Sequence, residues 1–136
     1  MLIVKNFLKE TKHKGIGVFT GELIKKGTSV YVDSNILSKI FFAKEIKKLP
    51  QIAQEFITTY SDYDQENDSW YLDCDNTRFI NHSENPNIWY YPEKKSMIAL
   101  RDIKEGEEIL ADYRNFCDEC KYEGMSFKIN EDLEKF

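Results

Sequence analysis

At 136 residues the chain is long enough for one modest core and too short for two, so it reads as a single domain over residues 1–136. Hydrophobic side chains make up 41% and charged ones 32%, an ordinary globular balance, and a net charge of −5 argues against nonspecific nucleic-acid binding. No run approaches the roughly 20 apolar residues of a membrane helix, and the N-terminus has no apolar leader. Three cysteines (Cys74, Cys117, Cys120) are too few for a disulfide framework. The expectation is an intracellular protein, cytoplasmic or nuclear, without membrane contact, whose acidic surface suits a basic partner.

Residues 2–7 are a short apolar run that predicts a strand. Gly15-Ile16-Gly17 leads into a second strand at Val18-Phe19, and Gly27 marks a turn before a third over residues 29–32. A short helical stretch over residues 43–48 precedes a clearer helix. Pro50 stands at its first turn, and Ile52, Ala53, Phe56, Ile57 and Tyr60 form one apolar stripe. Residues 61–77 hold six acidic side chains and no Lys or Arg, which predicts a loop interrupted by a strand over residues 70–73. Residues 88–91 and 97–100 read as strands joined by Pro-Glu-Lys-Lys, and Glu105-Gly106 turns the chain before Ile109-Leu110. Residues 117–136 read as a polar tail anchored by Tyr122, Phe127 and Phe136. The sum is a mainly β domain of short strands with one or two helices.

Three patterns carry chemistry. The glycine pair at Gly15 and Gly17 reads first as a tight turn, with close approach of backbone to a ligand as the alternative. Arg78-Phe79-Ile80-Asn81-His82-Ser83, followed by Pro86-Asn87, lies between two predicted strands. Its buried polar groups must be hydrogen-bonded, either to one another or to a ligand. Gly106-Glu107-Glu108-Ile109-Leu110-Ala111-Asp112-Tyr113 ends on a tyrosine that is either a core ring with a wet tip or a hydroxyl carried into a pocket.

The order and spacing of the three patterns resemble the SET domain of protein lysine methyltransferases, over about residues 14–116. The resemblance implies a β-clip fold of small curved sheets with a C-terminal pseudoknot that sets the Asn81-His82 segment against Tyr113. It implies methyl transfer from S-adenosyl-L-methionine to a protein lysine. Gly15, Ile16, Gly17, Asn81 and His82 would hold the cofactor, with Arg78 and Phe79 close by. Tyr113 would stand at the transfer centre, and a second tyrosine would line the lysine channel, Tyr60 first and Tyr63 as its competitor. A SET-fold module that binds a basic peptide or the cofactor without catalysis is the alternative.

The chemistry suits these residue types. Geometry governs an in-line attack by nitrogen on a methyl group. The attacking amine must be neutral, which costs a lysine about 4–5 kcal/mol at pH 7. An aromatic channel lowers that cost by disfavouring charge, so no dedicated base is expected. Two departures from the family pattern matter. Glu84 stands where many histone-directed relatives carry a cysteine, and no closed zinc site is expected. Ala111 replaces the usual Phe or Tyr two residues before the catalytic tyrosine, which implies room for more than one methyl group.

Overall fold

The computed structural model describes residues 1–117, so the predicted tail beyond Cys117 lies outside the described residues. Strand β1 (Asn6–Glu10) pairs antiparallel with β2 (Ile16–Thr20), setting Lys9 opposite Gly17 and Phe7 opposite Phe19. The strand predicted over residues 2–7 is therefore shifted. Register in a hairpin follows its turn rather than the most apolar run, and Leu2 instead bridges to Tyr31. Strand β3 (Ser29–Val32) has the predicted bounds.

Strand β4 (Ser38–Phe42) was not anticipated, and helix α1 (Ala43–Ile46) follows it directly. Pro50 is the N-cap of helix α2 (Gln51–Tyr60), just before the first turn where the sequence placed it. The predicted apolar stripe is only partly used. Ile57 is buried, whereas Ile52 is 74% and Phe56 47% exposed.

Strands β5 (Asp62–Asp64) and β6 (Ser69–Asp73) follow α2, and β6 is the centre of a sheet ordered β4-β6-β5. Residues 62–64 of the predicted acidic loop are thus a strand, with Asp62 opposite Tyr71. After a short 3-10 turn (Asn76–Phe79) comes β7 (Asn81–His82). Strands β8 (Ile88–Tyr91) and β9 (Ser96–Ala99) are linked by the predicted turn, with Lys95 left-handed at φ 49°. They complete a sheet ordered β3-β9-β8.

The last strand, β10 (Leu110–Ala111), runs parallel to β7, with Leu110 opposite Asn81 and Ala111 opposite His82. This pairing lays the chain's third pattern beside its second. The main core joins Val18, Val30, Ile88, Ile103 and Ile109, all fully buried, with Ala111 2% exposed among them. Each such aliphatic side chain contributes about 1.5–3 kcal/mol on burial. The mainly β architecture of small sheets and short helices is the one expected.

Candidate active site

The joint between β7 and β10 is built by Asn87. Its side chain is fully buried, donating to the Glu108 carbonyl at 2.8 Å and accepting from the Leu110 N–H at 2.9 Å. Its own N–H goes to the Leu110 carbonyl, and its carbonyl receives the Leu100 N–H. Asn87 therefore spends these bonds on protein backbone, and its full burial keeps it from a ligand.

Asn81 ties the glycine turn to the same joint. Its Nδ2 donates to the Ile16 carbonyl at 3.2 Å and to Glu108 Oε1 at 2.9 Å. The two glycines flanking Ile16 serve different ends. Gly15 has φ +69°, a conformation side chains resist, with open space where a Cβ would lie. At Gly17 the space itself is taken: a Cβ would meet Glu108 Oε1, Thr11 Cγ2 at 2.8 Å and Asn81 Nδ2 at 3.0 Å. Gly17 thus makes room for the Asn81–Glu108 contact.

His82 and Tyr113 meet directly. The Tyr113 N–H donates to His82 Nδ1 at 3.1 Å, and the two rings lie 5.3 Å apart. The Tyr113 hydroxyl donates to the Ile80 carbonyl oxygen at 2.5 Å. Burial holds the Tyr113 phenol above its ordinary pKa, helped next by the charge of Asp62. Asp112 caps the short turn Tyr113–Asn115 by accepting from the Arg114 N–H, and the Arg114 side chain holds its carboxyl below the usual range. Asn115 fastens that turn to β8, accepting from the Tyr90 N–H at 2.7 Å and donating to its carbonyl at 3.2 Å.

Beside Tyr113 opens a cavity of about 380 Å³, within the range of small-ligand sites. Tyr60, Tyr63, Arg78, Ile80 and Phe116 line it with Tyr113, and Asp33, Asp62, Asp64 and Asp73 give it an acidic side. Both candidate channel tyrosines are present. Tyr60 packs edge-on against Phe79 at 5.5 Å, whereas the Tyr63 hydroxyl donates to Asp68 at 2.8 Å. The Arg78 guanidinium lies 4.8 Å from the centre of the Phe79 ring. Ala111 does not line the cavity. It sits in the core, so the extra room expected from it is filled by protein.

The edge where the glycine turn meets β7 suits a cofactor with a polar amino-acid end. Ile16 is 49% exposed there, and Lys14 Nζ sits 2.5 Å from the His82 carbonyl, a cation suited to a carboxylate. Among the described residues no group of three His, Cys, Asp or Glu side chains is placed to hold a metal ion.

A family model, the SET domain, matches residues 15–114. The chain belongs to the SET-domain family. The fold has the same kinship. The Neurospora SET-domain protein DIM-5, a histone lysine methyltransferase, superposes with a TM-score of 0.56 at 24% identity, over 82% of this chain and 53% of that one. A candidate histone methyltransferase of Plasmodium falciparum gives 0.55 at 21% identity, over 81% and 93%. A chain of a humanized mutant of the Chaetomium thermophilum Polycomb Repressive Complex 2, bound to the inhibitor GSK126, gives a TM-score of 0.54 at 23% identity, over 85% and 15%. This SET chain thus spans about half the length of the Neurospora chain and a small part of the Polycomb chain. A sequence search of curated proteins finds no match.

Sequence reasoning missed Asp62 and Asp73 as cavity residues and Glu108 as the partner of Asn81. Glu108 had a signal, since it lies inside the third pattern. Asp62 had only the acidic count of a presumed loop, and Asp73 only its place at the end of a predicted strand.

Proposed function

We propose that this SET-domain protein transfers a methyl group from S-adenosyl-L-methionine to the side-chain amine of a lysine in a basic protein. The observation that carries the reading is the meeting of Tyr113 with His82 and Ile80 beside an acid- and tyrosine-lined cavity. When bound, S-adenosyl-L-methionine supplies an electrophilic sulfonium methyl.

The chain's residues divide the remaining work. The Gly15–Gly17 edge, Lys14, Asn81 and His82 hold the cofactor, with Arg78 and Phe79 close by. Tyr113 orients the reacting groups. Its proton is committed to the Ile80 carbonyl, so its oxygen presents lone pairs and acts as an acceptor, including toward weak C–H donors. Tyr60 and Tyr63 guide the lysine stem, since aromatic walls take its methylenes and disfavour bulk water.

Calorimetric titration with S-adenosyl-L-methionine, followed by labelled transfer to core histones and to mixed cellular proteins, tests the reading. Cofactor binding and label on lysine are expected. Absence of cofactor binding would refute it.

A further inference from the structure

The acidic side of the cavity has a use that SET-domain membership does not supply. We propose that Asp62 receives the ammonium of the target lysine and takes its proton, leaving a neutral amine beside Tyr113. This rests on the lysine methyl transfer proposed above.

Asp62 and Tyr113 line the same cavity, and Asp62 exerts the largest charge effect on the Tyr113 phenol. Asp62 is held in place by β5, opposite Tyr71 on the central strand of its sheet. The second observation is independent of charge. Ser61 and Thr77, only 7% and 8% exposed, also line the cavity, and their hydroxyl oxygens have no hydrogen-bond partner among the described residues. Buried hydroxyls left unpaired are costly and uncommon. A primary ammonium carries three N–H donors. One carboxylate and two waiting hydroxyl oxygens match that number.

The other charges facing Asp62 leave it available. Asp33, Asp64 and Asp73 share the cavity wall and add negative potential. The N-terminal ammonium of Met1 lies 3.7 Å from Asp73 and serves that carboxylate. Arg78 is the cavity's own cation, but its guanidinium lies over the Phe79 ring. The tyrosines Tyr31, Tyr90 and Tyr113 stay protonated, each raised chiefly by burial.

The acid–base match is favourable. Burial first, and Asp73 second, push Asp62 up to about 7. Before the amine enters, the gap to a lysine ammonium near 10.4 is then about half that for an ordinary carboxyl near 3.9. In the transfer one proton moves from the ammonium to a carboxylate oxygen of Asp62. The bonding pair stays on nitrogen as the nucleophilic lone pair, and no further reagent is needed.

Two measurements decide the matter. The first follows the side-chain carboxyl carbon of Asp62 by NMR in the cofactor-free protein, with and without n-butylammonium. Asp62 is expected to titrate near 7 alone and distinctly lower when the amine is bound. A titration indifferent to the amine would overturn the proposal, and this arm does not depend on any variant folding. The second compares kcat/KM against pH for the unaltered protein and Asp62→Asn. The unaltered profile should rise through about 7. The variant should lose that step, climb instead toward the lysine's own titration, and run roughly 10²-fold slower at neutral pH. Identical profiles would overturn the proposal while leaving methyl transfer intact. An amine-linked Asp62 in a protein that transfers no methyl group would refute the enzymatic reading and with it the proton-transfer role.

Discussion

The phenolic proton of Tyr113 is given to the carbonyl oxygen of Ile80, 33 residues earlier in the chain. That bond orients the ring beside the cavity and fixes the hydroxyl as an acceptor toward anything else. It exists because β7 and β10 run parallel, bringing the end of one pattern beside the start of another.

Asn87→Ala should be among the most destabilising single changes in the chain. It leaves the Glu108 carbonyl and the Leu110 N–H buried without their partners. Two unmet backbone groups cost about 2–5 kcal/mol together. Urea denaturation gives the figure, and a loss under about 1 kcal/mol would mean water or relaxation repairs the joint.

Gly17→Ala should weaken cofactor binding by acting through its neighbours. The added carbon intrudes on Asn81 Nδ2 and Glu108 Oε1, so the Asn81–Glu108 contact must shift. Asn81→Ala removes the same contact without crowding, and should lose affinity to a similar degree. Calorimetry with S-adenosyl-L-methionine checks both. Normal affinity in both folded variants would exclude this contact from the cofactor site.

Ala111→Tyr should destabilise the protein rather than merely retune its product. Ala111 is 2% exposed within the core, and a ring there needs space that Val18, Ile88 and Ile109 occupy. Overpacking of this kind costs typically about 1–3 kcal/mol, and more for a full ring. A thermal melt equal to that of the unaltered protein would show that the ring swings into the cavity instead.

Asp62→Asn should stabilise the protein above neutral pH. The unfolded carboxyl titrates near 3.8 and the folded one near 7, so the folded state holds this proton more tightly. Stability from the group is full below about 4 and is lost as pH rises through about 7. The variant should therefore match the unaltered protein at about pH 3 and exceed it by roughly 2–4 kcal/mol at pH 8. Urea melts at the two pH values measure this. Equal stability at pH 8 would show that Asp62 ionises without penalty.

Much of the site was legible because its parts lie in short segments with characteristic spacing. Gly15, Gly17, Asn81, His82 and Tyr113 could all be named from the sequence, and their strands were placed to within a few residues. The less legible features depend on tertiary register. Asp62 reads as a member of an acidic loop, and Asp73 as the end of the strand over residues 70–73. Only the pairing of β5 and β4 on either side of β6 puts both on the cavity wall and buries Asp73. Ile52 and Phe56 read as core by periodicity, yet only the Ile57 face of α2 finds a partner. Ala111 was judged by its place beside Tyr113, but the strand's alternation turns it into the core.

The central claim is methyl transfer at Tyr113, and single-turnover transfer by Tyr113→Phe tests it most directly. The change removes one oxygen and its bond to Ile80, costing about 1 kcal/mol of stability and leaving the ring in place. With saturating S-adenosyl-L-methionine, and binding verified by calorimetry, transfer should fall about 10²–10³-fold. A folded, cofactor-bound Tyr113→Phe protein that methylates lysine at the normal rate would contradict it.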